Sequence, residues 1–504
     1  MRSERGTRLA VAVCLLAGAF WVSGASIVLA APPAAGAQST GSLTGTVTST
    51  SGQPLPGAQV TVREVDSGTS TSLVTDASGT YTAPSLVPGT YEVRVQLQGF
   101  ETWVRDGIAL QENDRLRMDA MLTALPDQTA KKPSMEIYGF AMLDIGHDFK
   151  QINPNWSDTM RVTRLPSSEN EFGEDHNTFA GVRQSRLGVR TTVPTDLGDL
   201  KTTFEFELFG TGVDEGQTTF RLRHAYGELG AFGAGQYWSP FMDPDVFPNS
   251  LEYWGPTGMV FFRNVQVRWM PSLGEHDVVL AMERPGASGD QGVYADRVEL
   301  QNIRARFPLP DFSGAYKYNR DWGYLRAAGM LRWIKWDDVL DDQFDLSGDA
   351  TGWGINLSAN YKPTERDVIR FQYVFGEGIQ NYMNDSPVDI GIVNNLSDPV
   401  TPILGDPVPI TGLVLFVDHT WSERFSSTFG YSRQDNDNRE AQAPSAFRDG
   451  EYALGNILYY PVQNVMMGGE LQWGRRANFS DGFESDGFKV QFSFKYNFSY
   501  KLGG

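Results

Sequence analysis

Residues 488–500 read Phe-Lys-Val-Gln-Phe-Ser-Phe-Lys-Tyr-Asn-Phe-Ser-Tyr. Phe488, Val490, Phe492, Phe494, Tyr496, Phe498 and Tyr500 share one parity, and Lys489, Gln491, Ser493, Lys495, Asn497 and Ser499 share the other. A period of two sends these sets to opposite faces of a sheet. A soluble sandwich can alternate in this way, but its solid core tolerates few strands with large aromatics at every outer position. A tilted strand crossing a bilayer matches the pattern, with apolar side chains toward lipid and polar ones toward water. Lipid leaves an open sheet edge unsatisfied, so a sheet of such strands has to close.

The alternation recurs upstream. Leu187, Val189 and Val193 oppose Arg186 and Arg190. Phe204, Phe206 and Leu208 oppose Glu205 and Glu207. Phe220, Leu222 and Tyr226 oppose Arg221 and Arg223. Ile369, Phe371, Tyr373 and Phe375 oppose Arg370 and Gln372. The pattern predicts strands at 137–149, 183–193, 200–210, 218–229, 232–238, 259–270, 275–284, 312–319, 323–336, 350–361, 366–376, 411–421, 424–434, 451–461, 464–475 and 486–500. The weakest are 232–238 and 312–319, so fourteen or eighteen strands stay open as alternatives. Short connections such as 230–231, 320–322 and 422–423 alternate with long ones at 150–182, 239–258, 285–311 and 377–410. That is the habit of an outer-membrane barrel. The expected fold is all-β, a 16-stranded antiparallel transmembrane β-barrel over 135–504, with both ends on the short-turn, periplasmic side.

Ahead of the barrel lie two other segments. Arg2, Arg5 and Arg8 precede an apolar run over 9–29 and a small-residue tail, which reads as a signal peptide over 1–30, cleaved as late as 37. Residues 41–124 carry short alternating stretches separated by Gly/Pro turns, the pattern of a small β-sandwich. Residues 125–134 read as a linker.

Composition removes several classes. The chain has 504 residues, 42 Lys+Arg against 61 Asp+Glu, and a formal charge of −19. No basic block suggests nucleic acid. The single cysteine, Cys14, sits in the expected signal, which leaves no disulfide, thiolate metal site or cysteine nucleophile beyond it. The histidines at 147, 176, 224, 276 and 419 show no metal-ligand spacing, and no nucleotide-binding glycine motif is present. His224 falls on the outward parity, as an interfacial residue. No catalytic residue, metal ligand or cofactor is expected, and the chain reads as no enzyme.

The segment "GTVTSTSGQPLPGAQVTV" with "TDASGTYTAPSLVPGTYEVRV" resembles the carboxypeptidase regulatory-like domain, a transthyretin-like sandwich without catalytic groups. From "MEIYGFAMLDIGHDF" through "VRQSRLGVRTT" and "FRLRHAYGEL" to "GQYWSPFMDPDVFPNSLEYWGPTG" the barrel is similar to the DcaP-like trimeric porin family of Gram-negative bacteria. The resemblance implies a homotrimeric outer-membrane channel for small, often anionic solutes. Two features depart from it. The family's better-known N-terminal extension is a predicted coiled coil. The chain also runs four residues past Tyr500, so Phe498 or Tyr500 would be the aromatic that the barrel-assembly machinery reads.

The candidate pore-lining residues are Arg186, Arg190, Arg221, Arg223, Arg268, Arg326, Arg332 and Arg370, all on the inward parity. A charge is costly against lipid and tolerable in a water-filled lumen. They would concentrate anions, or else neutralise Glu205, Glu207 and Glu470 across the wall. In general porins the third long loop narrows the pore. By resemblance 239–258 would do so, with Asp243, Asp245 and Glu252 facing the arginines; otherwise it is a surface loop. The aspartates of 337–349 lack calcium-loop spacing and read as a solvated outer loop. The expected function is passive diffusion of small hydrophilic, anionic, for example dicarboxylate-like, solutes through a homotrimer in outer-membrane lipid. A closed structural or adhesive barrel and a partner-coupled uptake channel are the alternatives.

Overall fold

The computed structural model describes residues 40–125 and 132–503. The expected signal peptide and residues 126–131 of the expected linker lie outside the described residues. The chain divides between residues 130 and 131 into two units, each described by itself.

In the first unit one sheet orders Thr80–Leu86 beside Gly41–Ser49, which also pairs in parallel with Arg115–Arg117 and Ala120–Leu122. The second orders Ser70–Val74, Gln59–Glu64, Gly89–Gln96 and Trp103–Leu110. Alternate residues turn inward: Leu43 and Val47 from one sheet, Val60, Val62, Val93 and Val95 from the other, joined by Tyr81 and Tyr91 in one core. The Tyr81 hydroxyl crosses that core and donates to the Met118 carbonyl at 2.7 Å.

The second unit is a closed antiparallel barrel of sixteen strands. They are β1 Ser134–Asp148, β2 Asn177–Gly181 with Arg186–Thr195, β3 Gly198–Phe209, β4 Thr218–Leu229, β5 Phe232–Trp238, β6 Arg263–Trp269 with Ser272–Leu273, β7 His276–Glu283, and β8 Ile303–Arg306 with Asp311–Arg320. They continue as β9 Gly323–Asp338, β10 Gly348–Tyr361, β11 Asp367–Glu377, β12 Pro409–Ser422, β13 Phe425–Asn436, β14 Phe447–Tyr459, β15 Val465–Asn478 and β16 Glu484–Gly503. Three strands are interrupted, and both pieces of each pair with the same neighbour. The weakest sequence assignments, 232–238 and 312–319, are both strands.

Closure is made by β16 on β1, from Lys489↔Asp148 to Gly503↔Ser134. This register continues the alternation of 488–500. Phe492 and Phe494 stand outward, while Lys489, Gln491 and Ser493 turn inward and are buried. Short turns such as 230–231, 321–322 and 423–424 gather on the rim where β1 begins and β16 ends. Loops 149–176, 239–262, 284–302 and 378–408 join strand ends at the other rim.

One parity expectation fails. The β3–β4 ladder pairs Glu205 with His224 but Phe206 with Leu222, which leaves Arg223 as an extra residue. This bulge reverses the faces beyond it. Phe220 and Leu222 remain outward, but His224 and Tyr226 are buried on the inner side, His224 against Tyr237 and Trp238. His224 is therefore not an interfacial residue.

Candidate functional site in the barrel lumen

Loop 239–262 enters the barrel rather than lying on its surface. β10 supplies two anchors: Asn356 Nδ2 donates to the Phe241 carbonyl and Asn360 Nδ2 to the Asp245 carbonyl, each at 2.8 Å. Further along, Leu251 N and Glu252 N donate to the Glu470 carboxylate at 2.8 and 3.0 Å, and Gly258 N donates to Ser432 Oγ at 2.8 Å. The loop thus reaches from the β5 side of the wall to β13 and β15. Two more loops meet it. Met160 N donates to Glu252 at 3.0 Å, and Asp385 pairs with Arg161 at 2.8 Å. Phe241, Val246, Met160, Val162, Tyr382 and Met383 from these loops share a buried cluster with wall residues Val374, Val414 and Phe416. Much of the lumen beside β10–β16 is therefore filled.

Six of the eight predicted arginines occupy two settings. Arg186, Arg221 and Arg223 meet Glu205 and Glu207. Arg223 lies 2.6 Å from each carboxylate, Arg186 3.7 and 3.5 Å from them, and Arg221 bonds Glu207 and the Tyr253 hydroxyl. Arg263 joins them at 3.6 Å from Glu207, so four guanidiniums surround two carboxylates. Arg263 was not among the sequence candidates. It stands at the head of β6, off the inward parity of Asn264, Gln266 and Arg268, and alternation could not have found it.

The second setting is the backbone from the end of β5 into the inward loop. Arg268 donates to the Trp238 carbonyl, Arg326 to Pro240 and Arg370 to Asp245, so three arginines follow the loop's path. Arg370 also pairs with Asp418 at 2.6 Å. The remaining two stand apart. Arg332, fully buried, bridges Asp311 and Asp389 at 3.1 and 2.8 Å and fastens loops rather than lining open water. Arg190 is half exposed near the short-turn rim, over the Tyr138 ring at 4.0 Å.

The three predicted acidic residues separate, Asp245 lying with Arg320 and Arg370 and Glu252 lying elsewhere. Asp243 accepts from Tyr324 and Ser358 hydroxyls at 2.9 and 2.5 Å. Asp245 pairs with Lys317 at 2.7 Å. Glu252 does not face the arginines. It accepts backbone N–H groups of Met160 and Gly255, and burial raises its carboxyl to about 7. Glu470 likewise has no arginine partner among the described residues and binds Asn456, Gln472 and the loop backbone.

Below the loop, toward the short-turn rim, a cavity of about 670 Å³ remains. Lys317, Arg320, Lys362 and Arg370 line it against Asp245. Lys317, Arg320 and Lys362 were not sequence candidates. Lys317 and Arg320 belong to β8, whose alternation is weak, and Lys362 sits in a turn.

Residues 42–123 match the carboxypeptidase regulatory-like domain. Among solved structures the chain is similar to the outer membrane channel DcaP of Acinetobacter baumannii, at 20% identity and a TM-score of 0.61 over 73% of this chain and 98% of that one. An anion-selective porin from Comamonas acidovorans aligns at 13% identity and a TM-score of 0.48, over 73% of this chain and 100% of the other. A loop-deletion form of OmpT from Vibrio cholerae aligns at 11% and 0.45, over 73% and 100%. No curated protein matches the sequence. Residues 106–498 match the family described as DcaP outer membrane protein, and with its closed sixteen-stranded barrel the chain belongs to that outer-membrane family.

Proposed function

We infer that the protein is a passive diffusion channel for small hydrophilic anions, working as a homotrimer without catalysis. The observation that carries the anion preference is the cavity lined by Lys317, Arg320, Lys362 and Arg370 against Asp245. Cations on a narrow, low-dielectric wall focus the potential and raise the local anion concentration. The excess of guanidiniums around Glu205 and Glu207 acts in the same sense. The overall charge of −19 bears little on this, because it is summed over the whole chain. Trimer formation is supported by the family and by the aromatic outward face.

The test is the reversal potential across planar bilayers under a salt gradient. Lys317→Gln with Arg320→Gln should lower the anion-to-cation permeability ratio, and channels should close in three equal steps. An unchanged ratio would remove the anion reading, and single-step closure would remove the trimer. The packed loops favour one rival, a barrel with a closed lumen. It predicts no open-channel current at all.

A further inference from the structure

At the long-loop rim, away from the lumen, two histidines meet. His147 lies near the end of β1, on the outward parity of Leu143 and Ile145, and His176 immediately precedes β2. They are 29 residues apart, which is why their spacing in the sequence carries no metal signature. The ladder brings them together by pairing His147 with Thr178. His147 Nε2 and His176 Nδ1 face each other at 3.5 Å, with ring centroids 5.7 Å apart. A good N–H hydrogen bond spans about 2.9–3.0 Å. Two imidazole nitrogens on one tetrahedral ion, each bonded at about 2.0–2.1 Å, stand about 3.3–3.4 Å apart.

The surroundings hold the rings in place. His147 Nδ1 lies 3.0 Å from Thr178 Oγ1, and its ring packs edge-on to Phe149 with centroids 4.8 Å apart. A histidine that gives its Nδ1 proton to an oxygen presents Nε2 as a lone pair, the usual support for a ligating imidazole. His176 is exposed, with a φ of 72° in the left-handed region that favours glycine. It borders an open cavity of about 600 Å³ together with Glu174 and Asp175. Among the described residues no set of three or more ligating side chains is assembled, so water would complete the sphere.

We propose that His147 and His176 form a two-histidine site for a first-row divalent transition metal, zinc being the probe. Imidazole nitrogen favours zinc, nickel and copper over calcium and magnesium. The experiment is calorimetric titration of the full chain, free of any affinity tag, with zinc chloride in detergent. One zinc per chain is expected near neutral pH, unaffected by excess magnesium. His176→Ala should weaken it by about tenfold or more. His147→Gln, which keeps a polar group facing Thr178, should do the same. His276→Ala, on the opposite rim, should leave it unchanged. Heat-modifiable migration on gels shows that each variant retains the barrel. No zinc uptake at millimolar concentration, or uptake indifferent to both rim variants in folded protein, would overturn the site and leave an imidazole pair only.

Discussion

Arg223 shows what alternation can and cannot reveal about one residue. Parity alone places it inside the barrel, and there it lies. Parity also suggests a hydrated side chain tuning selectivity. Instead Arg223 is 4% exposed and holds two buried carboxylates. Removing it takes away the closest guanidinium of buried Glu205 and leaves Arg186 there at 3.7 Å, a loss on the order of 3–5 kcal/mol. Arg223→Ser should therefore lower the denaturation midpoint sharply. Arg190→Ser, at a half-exposed contact 3.9 Å from Glu136, should cost about 0–1 kcal/mol. Equal midpoints for the two variants would contradict this difference. Cross-strand pairing was the missing information. Glu207 meets Arg221 and Arg186 from strands on both its sides, and no single-strand pattern encodes that.

At the scale of elements, the sixteen strands were legible because lipid imposes one chemistry on every outward position. The bulge at Arg223 was not, because it adds a residue without glycine or proline to mark it. The inward course of loop 239–262 was suggested only by family likeness, since its anchors are scattered over β10, β13 and β15. Those anchors make it testable. Asn356→Ala with Asn360→Ala removes two side-chain donors to the loop backbone, so single-channel conductance should rise and become noisier. Unchanged traces would mean that the loop does not limit passage. Glu252 adds a pH term. Its folded-state pKa, about 7, lies above its ordinary 4.5, so the docked loop binds the proton more tightly than the free chain. The stabilisation is complete below about 4.5 and is lost as pH rises through 7. Amide protection at Leu251, Glu252 and Gly255, corrected for intrinsic exchange, should fall between pH 5 and pH 8. Glu252→Gln should flatten that dependence; an equally steep fall in the variant would assign it elsewhere.

For the whole molecule, the question is whether the two units depend on each other to fold. The first unit's core draws on both its sheets and lies entirely between Leu43 and Leu122. The barrel's closing ladder starts at Ser134, beyond the division of the chain, and needs no residue from the first unit. Deleting 41–124 with residues 1–40 retained should therefore leave a heat-modifiable barrel with unchanged conductance. Loss of the barrel would show that the small unit assists assembly. The complementary piece, residues 40–125, should fold by itself and unfold in acid. Asp119 accepts from Arg117 Nε at 2.9 Å and from Thr46 N and Oγ1 at 2.8 Å, which lowers its carboxyl from 3.8 to about 2. A depressed carboxyl contributes stability that is present above its unfolded value and lost as pH falls through its folded one. The fragment's thermal midpoint should thus hold down to about pH 4 and decline toward pH 2, with Asp119→Asn starting lower and declining less. A variant that declined as steeply as the parent would place the acid sensitivity in other carboxylates, such as Glu64, which Ser67 holds below its usual range.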